Sequence, residues 1–315
     1  MHVGAGLPVA RMDDPREFLT GDAIAEIAQA AERAGFDTLS VSEHPFPDDD
    51  WLTRGNGHHN HDPFVALSFA AAATKTIKLR TSLLILPYRN PFITARAAAS
   101  LDALSGGRLV LGVGAGYLEA EFKALGVDFG ERNELSDEAI IAMRRAWTED
   151  GVHMKGRHFD AQGHTMAPRP AQKGGPPIWI GGNSKLAIHR AVELGDGWMP
   201  MRYEGNIVSR RTAELASLED FRARLGYASE HARRIGRTQP LGVSFGLQLF
   251  SIPDACEGAD GFIDAAHYLA ALGVTDTGIG AAPTSRAAYI GELERIGAEL
   301  LPRLHAIHSP GLAFV

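Results

Sequence analysis

Polar residues that could exchange protons follow several apolar runs of this sequence. Glu43 and His44 follow an apolar run over residues 36–42, and Tyr117 comes shortly after another over 109–113. Histidine exchanges protons near neutral pH, which makes it the commonest general acid or base in enzymes. If the runs are parallel strands of a barrel, their carboxyl ends lie on one face, where active sites form. The sequence therefore predicts that Glu43 and His44 are catalytic.

Two glycine-rich turns could hold a phosphate or a flat ring through their backbone N–H groups. The first follows the run 109–113, and the second opens a helix after the run 176–182. Glycine lets a backbone approach a ligand closely, and a helix N-terminus attracts anions. Tight packing and plain helix capping are the alternative explanations for these turns. The predicted cofactor contacts in the turns are Gly114, Ala115, Gly116, Tyr117, Gly181, Gly182, Asn183 and Ser184.

A third group of polar residues belongs to the apolar run 78–86. Ser82 lies within it, and Asn90 lies just beyond its end, so both are predicted to contact the cofactor. None of these residues forms a Ser-His-Asp or Cys-His grouping. Their chemistry favours a bound cofactor over covalent catalysis by a side chain.

Composition limits the functional classes. The chain has 315 residues, of which 45% are hydrophobic and 22% charged, and its formal charge is −7. An acidic balance argues against nucleic acid as the main partner. No apolar run is long enough for a membrane span, so we expect no membrane contact and a cytoplasmic location. The single cysteine, Cys256, is expected to be a buried, unreactive thiol.

The order of apolar and helical segments predicts the fold. Short apolar runs alternate with helical patterns, which implies parallel strands joined by helices. Eight such units predict an α/β fold, a single (β/α)₈ TIM-barrel domain over residues 1–315 with an insertion around 150–175; an open doubly wound sheet is the alternative. The eight predicted strands are 3–7, 36–42, 78–86, 109–113, 176–182, 196–200, 241–250 and 274–279.

Three helix predictions depend on hydrophobic spacing. The helix over 92–104 is expected to bury Ile93, Ala97, Leu101 and Leu104. Residues 207–236 are predicted to be mostly helical, and 284–307 to form one final helix.

The loop 46–62 contains three histidines that could suggest a metal site. His58, His59 and His61 lie among glycine and asparagine, without a carboxylate at a strand end. We therefore predict a lid over the pocket, with Trp51 as a possible stacking residue, and no metal. The glycines at 112–116 are also not a Rossmann fingerprint, because Tyr117 stands where a final glycine is required.

The ordered motifs of this chain resemble the luciferase-like monooxygenase superfamily, and within it the branch that depends on coenzyme F420. The similarity extends from about residue 2 to about residue 200, with a looser match beyond. The motifs are Ser42-Glu-His-Pro45, residues 81–91, residues 101–117, residues 122–127, residues 177–183 and Gly195-Asp-Gly-Trp198.

This resemblance implies a barrel whose C-terminal mouth holds the deazaflavin ring. A bulge in the third strand would carry a non-prolyl cis peptide behind the ring, at Ser82–Leu83 here. The implied reaction is hydride transfer between ring carbon C5 and a small organic substrate. His44 would supply or remove the proton, and Glu43 would orient His44 or contact the ring. The resemblance also implies a homodimer.

Three other functions stay open at this point. The first is a monooxygenase that uses flavin mononucleotide (FMN) and a partner reductase. The second is a flavin-binding barrel without catalysis, and the third is a metal hydrolase. The basic residues with which sugar-phosphate dehydrogenases of this superfamily recognise phosphate have no clear counterpart, so a sugar-phosphate substrate is not expected.

Overall fold

A computed structural model describes residues 1–54, 57–203, 212–247, 258–280 and 284–314. Its strands are β1 (His2–Gly6), β2 (Thr38–Val41), β3 (Lys78–Ile85), β4 (Leu109–Gly114), β5 (Val152–Lys155), β6 (Asp160–His164), β7 (Ile178–Gly181), β8 (Gly197–Met199), β9 (Gly242–Val243) and β10 (Asp276–Ile279). Its helices are α1 (Pro15–Phe18), α2 (Gly21–Ala34), α3 (Asp49–Arg54), α4 (Pro63–Ala73), α5 (Pro91–Ser105), α6 (Glu119–Ala124), α7 (Arg132–Thr148), α8 (Lys185–Leu194), α9 (Leu218–Ile235), α10 (Gly258–Ala271), α11 (Arg286–Glu299) and α12 (Leu301–His305).

Eight parallel strands form the barrel, in the order β10-β1-β2-β3-β4-β7-β8-β9. The two ends of this order meet, because the Thr275 N–H donates to the Val243 carbonyl at 2.8 Å and the Phe245 N–H donates to the Asp276 carbonyl at 2.9 Å. The predicted (β/α)₈ TIM barrel is confirmed. Its strands all end on one face, and this brings the segments that follow β2, β3, β4 and β7 together.

Strand β3 carries the irregularity that the resemblance implied. Its register against β4 shifts between Thr81 and Leu84, and the Ser82–Leu83 peptide bond is cis. The bulge adds residues at the point where β3 reaches the mouth of the barrel, so Ser82 and Leu83 both contact the space inside it.

The predicted insertion is an antiparallel hairpin of β5 and β6 outside the barrel. Asp102 of α5 ties the chain that returns from it to the barrel. This buried carboxylate accepts the backbone N–H of Gln172 at 2.9 Å and the Gln172 side-chain amide at 2.7 Å. The Leu109 N–H, at the start of β4, lies 3.4 Å from it. One side chain thus joins three segments.

The packing of α5 differs from the prediction. Leu101 is buried as expected, but Ile93 is 67% and Leu104 87% exposed. The buried face instead includes Ala95, Ala98 and Ala99. Alanine lets a helix lie close to the strands, so the larger apolar residues of α5 are left on the outer side.

Two other helix predictions were wrong in their boundaries. Within 207–236, helix begins only at Leu218, where Ser217 and Asp220 form a capping box; residues 207–211 lie outside the described part. The predicted final helix divides at Leu300 into α11 and α12, because Pro302 has no N–H to continue the helical hydrogen bonds. Of the seventh predicted strand, the structure describes residues 241–247 and shows strand at Gly242–Val243; residues 248–250 are not described.

Among the helices that the structure describes, none is both long and apolar enough to cross a membrane.

We predict that Asp102→Ala lowers the free energy of unfolding by about 1–3 kcal/mol, because buried donors of Gln172 and Leu109 lose their acceptor. Urea unfolding at constant pH measures this as a lower midpoint with an unchanged slope. The matched control is Asp13→Ala, which removes an exposed ion pair with Arg11 and should leave the midpoint unchanged. An unchanged midpoint in Asp102→Ala would contradict the role of this carboxylate.

Candidate active site

A cavity of about 420 Å³ opens at the carboxyl ends of the barrel strands. Its walls come from the segments that follow β2, β3, β4 and β7, together with the starts of α7 and α8. The predicted site residues that line it are Glu43, His44, Ser82, Leu83, Gly114, Ala115, Gly116, Tyr117, Gly181, Gly182, Asn183 and Ser184.

Glycines make room for Leu83 on the wall formed by β3, β4 and β7. A methyl group added to Gly181 would lie 2.0 Å from a Leu83 methyl, and one added to Gly114 would lie 3.2 Å from it. A side chain at Gly181 would therefore require Leu83 to move, whereas at Gly114 the fit would be tight. The Leu83 side chain and the two glycine backbones form an apolar surface on which a flat ring could rest.

The beginning of α8 forms the anion-attracting end of the cavity. Ser184 caps the helix by accepting the Ala187 N–H at 3.1 Å, and the other first-turn N–H groups point out of the helix end. Arg190 lines the same cavity and is only 5% exposed; it pairs with Asp137 and donates to the Asn133 carbonyl at 3.0 Å. A buried cation beside a helix N-terminus favours a phosphate.

Asn183 has a structural role beside the second glycine turn. Its amide donates to the Met201 carbonyl at 2.8 Å, and its carbonyl oxygen accepts the Met201 N–H at 3.0 Å. The side chain is buried and fixes the segment after β8 against the second glycine turn.

His44 stands between three side chains at the end of β2. Its Nδ1 lies 3.4 Å from the Glu121 carboxylate, and its Nε2 lies 3.3 Å from the Tyr117 hydroxyl. The Trp51 ring packs against the imidazole at a centroid distance of 4.3 Å. The histidine is thus held at both nitrogens and has its ring on the cavity wall.

Glu43 is buried beside His44 but is bonded to other groups. It accepts the Ile85 N–H at 2.6 Å and forms an ion pair with Arg89, which also pairs with Asp62 at 2.7 Å. Burial raises the pKa of Glu43 to about 7, and the nearby Arg89 guanidinium opposes this shift. Glu121 is the carboxylate that lies against His44, whereas the contacts of Glu43 are to Ile85 and Arg89. The prediction that Glu43 orients His44 or contacts the ring stays a prediction.

Comparisons with known proteins agree with this architecture. A profile of the family described as "Luciferase-like monooxygenase" matches residues 3–257. The chain belongs to this family. It is 31% identical over 239 residues to an FMNH₂-dependent dimethylsulfone monooxygenase of Pseudomonas putida, covering 75% of this chain and 61% of that protein.

A second relative uses the other cofactor. The chain is 35% identical over 197 residues to an F420-dependent glucose-6-phosphate dehydrogenase of Gordonia bronchialis, covering 60% of this chain and 54% of that protein. It therefore spans less than two thirds of the length of either relative. The structure of a coenzyme F420-dependent tetrahydromethanopterin reductase of Methanopyrus kandleri superposes with a TM-score of 0.70 at 19% identity, over 96% of this chain and 99% of that one.

In this luciferase-like barrel, one predicted contact lies away from the cavity. Asn90 is exposed, caps α5 by accepting the Phe92 N–H at 2.9 Å, and lines a separate cavity of about 390 Å³ behind the site. The sequence could not distinguish this capping role from a ligand contact, because asparagine just after a strand suits both.

The three histidines of the 46–62 loop point to different places. His58 lines the cavity and lies 3.5 Å from Ser42, His61 bonds to the Leu19 carbonyl at 3.0 Å, and His59 is exposed. Trp51 is fully buried, and its indole N–H has no partner among the residues that the structure describes.

Sequence reasoning missed Glu121 and Arg190. Glu121 directly precedes the motif at residues 122–127, and Arg190 lies in the helix that follows the second glycine turn. The sequence did carry a signal for Glu121, because this acidic residue lies in the first turn of the helix that follows the first glycine turn. Only the fold shows that this helix directs it toward His44.

Protonation of Glu43 makes stability depend on pH. The carboxyl group keeps its proton up to about pH 7 when folded, whereas its ordinary pKa is 4.5. The folded state therefore binds more protons between these values, and the contribution of Glu43 to stability falls as pH rises from about 4.5 to about 7.

We predict that Glu43→Gln abolishes this fall. The difference in unfolding free energy between the native chain and the variant, measured in urea across this range, should shrink steadily as pH rises. Glu149→Gln is the control, because the pKa of Glu149 is lowered by its Arg145 partner and should give no such loss in the same range. A difference that stays flat would show that Glu43 is ionised throughout.

Proposed function

We propose that this protein is an F420-dependent oxidoreductase that transfers a hydride between ring carbon C5 of the deazaflavin and a small organic substrate. The observation that supports this most is the position of His44. Its imidazole lies on the wall of a cavity whose other walls are glycine turns and a helix N-terminus. Hydride transfer to or from an alcohol or carbonyl compound requires a proton to move as well, and His44 is placed to exchange it.

The residues of the cavity fit such a cofactor. Leu83, with the backbones of Gly114 and Gly181, would hold the ring. Gly182, whose φ of +114° favours glycine, and the first turn of α8 would hold the phosphate; the charge of the nearby Arg190 is balanced by Asp137.

When bound, the deazaflavin would supply a carbon centre that accepts or returns a hydride. His44 would exchange the accompanying proton through Nε2, the nitrogen that faces Tyr117. Trp51 and His58 cover the imidazole on the side of the 46–62 loop and would limit access of water to it. The apolar Leu83 surface would keep the ring dry on its other face.

Space for the substrate is available on the side of β1 and β10. Gly6 and Gly278 are exposed although they belong to barrel strands, and an added methyl group would meet no described atom within 4 Å. Side chains two apart on a strand share a face, so Gly6 shares the inner face with Gly4, which contacts the barrel-interior residue Arg80. We place the substrate there, beside the end of β2.

FMN is the second candidate cofactor. The identity with a dimethylsulfone monooxygenase supports it, and a partner reductase would then deliver reduced flavin. A cytoplasmic homodimer remains part of the proposal in either case. The outward face of α4 offers Val65, 56% exposed, and Phe69, 51% exposed, for contact with a second copy.

Equilibrium titration of the purified protein with each cofactor tests the choice. We predict saturable binding of oxidised F420 with at least tenfold higher affinity than FMN, measured by quenching of cofactor fluorescence. Gly181→Leu should abolish binding, because the new side chain collides with Leu83 and fills the ring surface. Tight binding of FMN with none of F420 would instead select the monooxygenase, and no binding of either would overturn both.

His44→Asn should lower kcat/KM by about 10²–10⁴-fold while changing cofactor affinity less than threefold, because only proton exchange is removed. The assay follows reduction of oxidised F420 by a panel of small alcohols and aldehydes. His59→Asn is the matched control, since His59 is an exposed histidine of the same loop. Full turnover by His44→Asn would contradict the proposed role.

A further inference from the structure

Glu121 is a fully buried carboxylate that bonds to residues outside its own helix. Its exposed fraction is 0%. Oε1 accepts the Phe46 N–H at 3.0 Å, Oε2 accepts the Tyr88 hydroxyl at 2.8 Å, and His44 Nδ1 lies 3.4 Å from Oε2. A charged group in such a place is costly unless it is bonded in this way.

These contacts distinguish the two nitrogens of His44. Both Glu121 oxygens act as acceptors, Oε1 for the Phe46 N–H and Oε2 for the Tyr88 hydroxyl, so we infer that His44 likewise presents a protonated Nδ1 to Oε2. The Tyr88 hydroxyl also donates to Oε2, because burial and the neighbouring Glu121 raise the pKa of Tyr88 far above its ordinary value. Nε2 is then the nitrogen without a proton, and it faces Tyr117 and the cavity.

The other buried carboxylate nearby has different partners. Glu43 bonds to Arg89 and to the Ile85 N–H, whereas Glu121 is the carboxylate that lies against the His44 imidazole. The two acidic residues thus belong to separate networks on either side of the β2 end.

We propose that Tyr88, Glu121 and His44 form a positioning triad. Glu121 holds His44 in the tautomer whose Nε2 carries no proton, so that Nε2 can take one, and stabilises the imidazolium that results; Tyr88 holds Glu121. This rests on the proposed function, in which an alcohol substrate gives its C–H hydride to the bound deazaflavin and its O–H proton to Nε2, and becomes a carbonyl compound. Glu121 and Tyr88 are positioning residues, because they act through His44.

A purely structural role for Glu121 would be to support the turn at Phe46. The variant Glu121→Gln separates the two roles. The Phe46 N–H requires an acceptor, so the amide oxygen of the glutamine takes the Oε1 position and its NH₂ takes the Oε2 position. His44 Nδ1 then faces a donor and must accept, which moves the imidazole proton to Nε2.

The experiment is long-range ¹H–¹⁵N NMR of the full chain labelled with ¹⁵N-histidine, without cofactor or substrate. The chain has 13 histidines, and the His44 signals are those lost in His44→Asn. We predict the Nδ1–H tautomer in the native chain and in Tyr88→Phe, and the Nε2–H tautomer in Glu121→Gln. The control is Glu119→Gln on the exposed side of the same helix, which should keep the native tautomer.

Kinetics give the second measurement. Glu121→Gln should lower kcat by about 10²-fold or more with KM within threefold, whereas Tyr88→Phe should lower kcat about two- to tenfold. The pH profile of kcat should also change in Glu121→Gln. Besides Glu121, the titratable groups around His44 in the described part of the chain include Tyr117, His58 and the adjacent Glu43, whose pKa burial raises to about 7. Urea unfolding midpoints of the two variants equal to that of the native chain would exclude loss of the folded state as the cause of the lower kcat.

An unchanged His44 tautomer in a folded Glu121→Gln variant would overturn the triad. The role of Glu121 would then be limited to supporting the turn at Phe46. Because the NMR measurement needs no cofactor, this failure is distinct from failure of the proposed function, which cofactor titration detects. A tautomer switch with unaltered turnover would also contradict the triad.

Discussion

The site depends on one constraint, which is that a carboxyl group can be buried at the mouth of this barrel only if hydrogen-bond partners surround it. Glu121 satisfies this with a backbone N–H, a tyrosine hydroxyl and an imidazole. Two of these donors, Phe46 and His44, belong to the segment after β2, and the third, Tyr88, belongs to the segment after β3. The requirement for donors therefore fixes two loops relative to α6, and with them the orientation of His44.

The two buried acidic residues at this edge of the barrel, Glu43 and Glu121, have different hydrogen-bond partners. Glu43 has a cationic partner, Arg89, yet burial still raises its pKa to about 7. Glu121 is bonded instead to the hydroxyl of Tyr88 and the ring of His44. The difference separates an ion-pair network around Glu43 from a hydrogen-bonded network around His44. It also explains why adjacency in the sequence, Glu43 next to His44, was a poor guide to contact.

Local sequence signals were sufficient for much of the fold. Alternating apolar runs and helices predicted the barrel, and glycines after β4 and β7 predicted the two turns that line the cavity. Predictions failed where the answer depended on how elements meet. Ile93 and Leu104 follow a helical spacing, but α5 contacts the barrel through alanines. The short alanine side chains let the helix lie close to the strands, so the larger apolar side chains face outward. Asn90 caps a helix, a role that its residue type fits as well as ligand binding. Glu121 was missed because only the direction of α6 after the glycine turn brings it to His44.

The account requires a ring-shaped cofactor on the Leu83 surface with His44 beside it. A crystal structure of the protein with oxidised F420 bound tests this most directly. The account predicts the ring between Gly114 and Gly181, stacked on Leu83, with His44 Nε2 directed at the open face where a substrate would lie and the phosphate at the start of α8. A ring bound elsewhere, or bound there with His44 turned away from it, would contradict the account.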